Sequence, residues 1–303
     1  MSDLILFHPI RSLDNKLLLP AGTKLSADII NDLISEAGNV SYREYSLLQY
    51  GPIKGDILNF LTVPPYNSIF SEQTLIDDLM NFIREVSLIS PLIQSLEHFR
   101  QEDMYTFRHI LNVFMLCACV IKVMEPSNLV RLKEIASGPI HDFGKICVPL
   151  HILKKPSPLT HEERSIVEHH SVAGYILLSY YFQDTGNIFA VVARDHHERM
   201  DGSGYPRGIQ VKNQIVEVIS VCDVYDALIS SRPYRSAAYD NRTAIEVLTE
   251  MGERNTLNRD VIKALVCINR KVKTHYSECE VSKVKRGNPP PNNNYGVFED
   301  DND

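Results

Sequence analysis

The residues best suited to chemistry in this chain lie between Asp195 and Pro206, which read D-H-H-E-R-M-D-G-S-G-Y-P. Two adjacent histidines, His196 and His197, offer neutral imidazole, the commonest protein ligand for a first-row transition metal. Gly202 and Gly204 free the backbone for φ > 0 and for close approach to a neighbour, and Pro206 stiffens the exit. Read alone, these features fit a loop folded beside a metal as well as they fit a polar surface loop. The histidines and aspartates elsewhere in the chain decide between the two.

His109 opens an apolar stretch and shares a helical stripe with Val113, Leu116 and Val120, so it points at the core. His141 and Asp142 follow a helical stretch and precede Gly144-Lys145, where a helix end lets adjacent side chains reach one ion. Of the pair His169-His170, His170 falls on the apolar stripe Ile166, His170, Ala173, Leu177, and His169 falls with Ser165, Val172 and Ile176; His170 is therefore the expected ligand. Asp223 lies on a stripe with Ile219, Asp226 and Ser230. Two carboxylates on the inner face of an apolar helix need a cation or a base to offset their desolvation.

Each of these groups has an ordinary structural explanation by itself. Together His109, His141, Asp142, His170, His196, His197 and Asp223 exceed the three or four ligands of a single open site. Seven suit two octahedral ions that share a bridging carboxylate, Asp142, and a bridging hydroxide. The nitrogen-rich set favours two divalent transition-metal ions, iron, manganese or another first-row metal, over magnesium.

The elements that must position these residues fall into two parts. Residues 1–71 mix short strands (Leu4–Phe7, Lys16–Leu19, Val40–Tyr45) with a helix over Ala27–Glu36, capped by Ser26 and ended by Gly38. Gly51 to Pro65 reads as a linker. From Ser71 the periodicity is helical. The expected helices are Thr74–Ser87, Pro91–Arg100, a buried Thr106–Met124, Leu129–Ser137, His161–Tyr181, Ile188–Asp195, Ile215–Ser230, Asn241–Met251 and Arg259–Arg270. The expected architecture is thus a small α+β N-terminal module (1–71), an all-α helical domain (72–270) and a disordered tail (271–303) rich in Pro, Asn and acids.

The 303 residues carry a net charge of −7, which argues against coating a nucleic-acid polymer. The longest apolar run, Ile110 to Met124, is interrupted by Asn112 and Lys122, and no membrane span is expected. Met1 to Lys16 lacks the basic start of a signal peptide. The six scattered cysteines read as reduced core residues of a cytoplasmic protein.

At this point a resemblance can be stated. His141-Asp142-Phe143-Gly144-Lys145 matches H-D-x-G-K, and His196 to Pro206 matches H-H-E-x-x-D-G-x-G-Y-P. With Ile152 to Pro156, Asp223 to Leu228 and Arg232-Pro233-Tyr234-Arg235, these motifs resemble the HD-GYP family of metal-dependent phosphodiesterases, a branch of the HD superfamily. The resemblance runs from about Tyr105 to Asp260 and implies an HD-type helical bundle. It also implies hydrolysis of cyclic di-GMP to pGpG, or onward to GMP, through a metal-bridging hydroxide. Asp142 and Lys145 would be catalytic, and Lys145, Tyr205, Arg232, Arg235 and Asp226 would meet the substrate.

Four positions depart from the family pattern. Tyr105 stands where some members carry a third-metal glutamate, so two ions are expected. Ser171 replaces a common proline, Met200 a tryptophan and Glu217 an arginine. Two other functions stay open. One is a signalling adaptor that keeps its metals and binds a protein partner, such as a cyclic di-GMP synthase, through residues 1–71. The other is a different nucleotide phosphohydrolase or a di-iron oxygenase.

Overall fold

A computed structural model of the chain describes residues 4–38, 40–125, 138–231, 237–270, 275–279 and 284–290. Near the N-terminus, β1 (Ile10–Arg11) pairs antiparallel with β2 (Leu17–Leu19). Leu4 to Phe7, expected as a short strand, runs beside Thr23–Leu25 through backbone hydrogen bonds from Leu6 to Thr23 and from Leu25 to Leu4. Ser26 caps α1 (Ala27–Ala37) by accepting from Ile29 N, and Gly38 ends it at φ +66°. A second ribbon pairs β3 (Glu44–Ser46) with β4 (Ser87–Ile89) and so ties the N-terminal part to chain beyond residue 71.

The stretch read as a linker is a helix, α2 (Ile53–Thr62). Its signal is the four-residue spacing of Ile53, Ile57 and Leu61, all buried. Pro52 and Pro64-Pro65 bracket this helix rather than break it, since proline is tolerated where no intrahelical bond is needed. The Phe60 ring meets Phe107 edge-on at 6.2 Å, which fastens α2 to the central helix.

The remainder is helical, as expected. In order come α3 (Gln73–Phe82), α4 (Ser90–Glu102), α5 (Met104–Met124), α6 (Leu150–Leu153), α7 (His161–Glu168), α8 (His170–Phe182), α9 (Ile188–Asp195), α10 (Gln214–Ile229), α11 (Asn241–Glu253) and α12 (Arg259–Ile268). The helix expected over 74–87 stops at Phe82 and passes through the 3-10 turn Ile83–Glu85 into β4. The helix expected over 161–181 is divided at His169 into α7 and α8. The expected helix Leu129–Ser137 lies outside the described residues.

α5 is the axis of the bundle and packs against α2, α4, α10 and α12. By length and composition it could cross a membrane, but 78% of its apolar window is buried within the fold. Two 3-10 turns, Gly138–Ile140 and Phe143–Cys147, hold His141 and Asp142 between them beside α5. Part of the stretch expected to be a disordered tail is packed: Cys279 is buried, and Arg286 N and Gly287 N donate to the Glu246 carboxylate on α11.

If α2 is a core helix, Ile57→Ala should destabilise the protein by about 2–5 kcal/mol, the usual range for truncating a buried aliphatic side chain. Urea unfolding checks this, and a change under about 0.5 kcal/mol, typical of surface positions, would return the segment to linker status.

Candidate metal centre

Five segments deliver the site. α5 contributes His109, the turn region His141 and Asp142, the first residue of α8 His170, the end of α9 His196 and His197, and α10 Asp223. All seven expected ligands converge. Two groups form, each with donor atoms within 4.8 Å of one another: His109, His141 and Asp142 in one, and Asp142, His170, His196 and His197 in the other. Asp142 belongs to both. Its Oδ2 lies 3.3 Å from His109 Nε2 and 3.5 Å from His141 Nε2. Its Oδ1 lies 3.3 Å from His170 Nε2 and 3.9 Å from His196 Nε2. Asp223 spans the same divide, with Oδ1 3.1 Å from His109 Nε2 and Oδ2 3.7 Å from His197 Nδ1.

The rings are anchored from behind. His141 Nδ1 meets the Gly138 carbonyl at 2.6 Å, His170 Nδ1 the Val167 carbonyl at 2.5 Å, and His196 Nδ1 the Val192 and Ala193 carbonyls at 3.1 and 3.0 Å. His109 Nδ1 meets Asp226 Oδ2 at 2.6 Å. A proton on each Nδ1 leaves an Nε2 lone pair aimed at the centre, the arrangement of a metal-binding imidazole. Burial pushes the His170 pKa down to about 4 and that of His196 to about 3, where neighbouring His141 and His170 add to the effect. These rings are therefore neutral donors at physiological pH. For Asp142, burial opposes ionisation, but Lys145, His141 and the His109 hydrogen bond prevail and hold it well below the usual carboxylate range. Neutral imidazoles around buried, ionised carboxylates are a donor set that fits a pair of divalent ions.

The model for the HD domain family matches residues 87–261. The chain belongs to the HD domain family. Its H-D-x-G-K and G-Y-P motifs place it in the HD-GYP branch. A cyclic di-GMP phosphodiesterase of Thermotoga maritima is 38% identical over 136 residues, 44% of this chain and 37% of that protein. Cyclic di-GMP phosphodiesterase PA4108 of Pseudomonas aeruginosa is 36% identical over 185 residues, 59% of this chain and 42% of its own. A 3'3'-cGAMP-specific phosphodiesterase 1 of Vibrio cholerae is 31% identical over 157 residues, 51% of this chain and 36% of its own. The matched stretch thus spans well under half the length of each of these relatives.

Around this HD-GYP centre the remaining motif residues have structural duties. Gly144 lies so close to α8 that a Cβ would come 1.9 Å from the His170 carbonyl oxygen. Gly204 is equally constrained, with a Cβ 2.3 Å from the His197 carbonyl oxygen, and Gly202 sits at φ +83°. Glu198, to which sequence reasoning assigned no role, is buried and accepts from Arg207 N at 2.6 Å and Ile209 N at 3.0 Å. It clamps the loop behind His197. Its signal was its place between the paired histidines and a run of turn residues with unspent backbone donors. Tyr205 stacks on His197 with centroids 4.6 Å apart, so its ring braces that imidazole.

Several expectations need correcting. Asp226 does not face a substrate: it is fully buried behind His109, where it also accepts from Tyr66 Oη and, at 3.2 Å, from Ser230 Oγ. The basic side chains near the motifs are largely paired. Arg194 and Arg207 share Asp195, Lys155 pairs with Glu163, and Arg199 donates to backbone carbonyls. Arg207 is one of these loop ties, at 2.7 Å from Asp195 Oδ2. Lys145 remains at the centre, 2.6 Å from Asp142 Oδ2 and 17% exposed. Arg232 and Arg235 lie outside the described residues. Glu217 accepts from Asn258 at the start of α12 and has a structural partner there.

His169 turns away from the centre and packs against the rings of Phe7 and His8, at 6.4 and 6.1 Å. His170→Ala should therefore lower bound metal and His169→Ala should leave it near wild type, as read by elemental analysis; the reverse would mean the register is wrong. The depressed histidines also fix a pH dependence. His170 and His196 titrate near 4 and 3 when folded against 6.5 ordinarily, so below pH 6.5 the unfolded chain takes up protons that the native state refuses. His109, raised by its carboxylates against the opposing effect of burial, is protonated in both states below pH 6.5, so its contribution changes only above that pH and not in this window. The metal-free protein should lose thermal stability steadily between about pH 6.5 and 4, and a flat melting profile there would contradict it.

Proposed function

We propose that this chain is a di-metal phosphodiesterase that hydrolyses cyclic di-GMP to pGpG or onward to GMP. The observation that carries the reading is the Asp142 carboxylate, one oxygen turned to each histidine group, with Lys145 Nζ on the Oδ2 side. His109, His141 and Asp142 would hold one ion, and His170, His196, His197 and Asp142 the other, with Asp223 between them. Bound there, a pair of divalent ions supplies Lewis acidity and an acidified water for attack on phosphorus.

The side chains prepare the rest. Burial works against the Lys145 ammonium, but Asp142 outweighs it and raises the pKa, so the group is cationic at neutral pH. Partly exposed, it would bind the incoming phosphodiester and offset charge gathering on the phosphoryl oxygens. Tyr205, half-buried on His197, offers an aromatic edge to the substrate. Arg232 and Arg235 are assigned phosphate contacts from their motif. Iron is the preferred metal and manganese the alternative, from the nitrogen-rich donor set.

Residues 1–71 are read as a regulatory module open to a protein partner, 72–270 as the catalytic unit, and the remainder as a tail. Six free cysteines, five of them buried, support a reducing, cytoplasmic setting. The relative specific for 3'3'-cGAMP makes that dinucleotide the competing substrate to assay.

Chromatography of cyclic di-GMP incubated with protein carrying Fe(II) or Mn(II) tests the proposal. Lys145→Ala should keep both metals and lower turnover by about 10²–10³, the typical loss for one such charge-stabilising group. Full activity in that variant would remove Lys145 from the mechanism. Absence of hydrolysis by wild type with both metals bound would overturn the enzyme reading in favour of a binding role.

A further inference from the structure

We infer that Tyr66, far from the ligand motifs in sequence, is a positioning residue for one of the two metal positions and acts through Asp226 and His109. The inference rests on the metal-centre reading above but not on the identity of the substrate. Tyr66 opens the 3-10 turn Tyr66–Ser68 and is 3% exposed. Its hydroxyl donates to Asp226 Oδ1, and Ser230 Oγ reaches the same oxygen at 3.2 Å. Asp226 Oδ2 meets His109 Nδ1 at 2.6 Å, and His109 Nε2 lies 3.1 Å from Asp223 Oδ1 and 3.3 Å from Asp142 Oδ2. A hydrogen-bonded chain thus runs from a turn in the N-terminal part, through a fully buried carboxylate, to a ligand ring.

The reason this chain matters is an asymmetry among the histidines. His141, His170 and His196 are anchored through Nδ1 by backbone carbonyls, which are fixed by the path of the main chain. His109 is in the middle of α5's hydrogen-bonded backbone and takes a side-chain carboxylate instead. A carboxylate can rotate about its Cβ–Cγ bond unless its far oxygen is also held. Tyr66 and Ser230 hold it. Removing the Tyr66 hydroxyl leaves Asp226 Oδ1 with the longer Ser230 contact, loosens the carboxylate and with it the direction of the His109 Nε2 lone pair. The position shared by His170, His196 and His197 has no such dependence.

Tyr66→Phe keeps the buried ring and removes only the hydroxyl. Chelator-competition titration with Mn(II), which needs no substrate, should show one of the two ions bound about 10-fold more weakly, as for other outer-shell losses, and the other unchanged. Ser230→Ala, acting on the same oxygen, should weaken the same ion, which keeps the test available if Tyr66→Phe folds poorly. In an Asp226→Ala background Tyr66→Phe should have no further effect, because the relay is already cut. Unchanged affinities, an equal fall at both positions, or an effect that persists without Asp226 would each overturn the role of Tyr66. A wild-type protein that takes up no Mn(II) or Fe(II) would instead overturn the metal-centre reading on which it stands.

Discussion

Asp142 holds an ionised carboxylate at 1% exposure, and isolating such a charge from water costs several kcal/mol unless every lone pair finds a partner. The neighbourhood is arranged to meet that demand. Oδ2 faces His109, His141 and the Lys145 ammonium; Oδ1 faces His170 and His196. The turn Phe143–Cys147 brings Lys145 back over Asp142, and it can lie against α8 only because Gly144 has no side chain. That approach carries His170 to the carboxylate. The H-D-x-G-K motif is thus one geometric unit: a ligand, a shared ligand, the glycine that lets a second helix come close, and the cation that balances the charge.

The same logic extends outward. Each imidazole that gives its Nε2 to the centre needs its Nδ1 proton absorbed, and the chain does this with carbonyls at turns and helix ends wherever the backbone has unspent acceptors. Ser220 on α10 donates to the His196 carbonyl at 2.6 Å, which fixes the backbone of the paired histidines against the helix that bears Asp223. Glu198 then satisfies donors of the loop beyond. The G-Y-P turn is therefore held by buried hydrogen bonds and by glycines that permit backbone-to-backbone contact, with Tyr205 braced on His197.

Much of this was legible in the sequence. Helical stripes placed His109 and His170 inward and His169 apart, because 3.6-residue periodicity reports direction whenever one face is apolar. His141, Asp142, His196 and His197 were legible differently, as adjacent pairs at a helix end and in a glycine-rich loop, and the fold brings them together with the stripe residues. The Asp226 stripe was read correctly as inward-facing but not what it faced: a carboxylate behind a ligand and one beside a substrate have the same periodicity. Its partner Tyr66 lies in a turn after two prolines, with no local pattern that points to a residue so distant in sequence. Basic side chains near the motifs have ion partners in the same stretch of chain, Arg194 and Arg207 at Asp195 and Lys155 at Glu163. Helix α2 was missed because Gly and Pro were counted as punctuation without asking whether Ile53, Ile57 and Leu61 shared a face.

The ligands come from five segments that meet only in the folded chain, so a metal pair cannot find this donor set in the unfolded ensemble. Whatever free energy the ions gain on binding is then added to folding, by the mass-action relation between ligand and native state. The carboxylates and imidazoles that meet there keep their orientation through anchors in the surrounding turns and helix ends. That is why the anchors matter as much as the ligands. A carbonyl anchor is set by the backbone and moves only with it, whereas the Asp226 anchor of His109 is a side chain whose own support comes from the N-terminal part of the fold. The side-chain anchor of His109 thus also connects the centre to a turn outside the helical motif region.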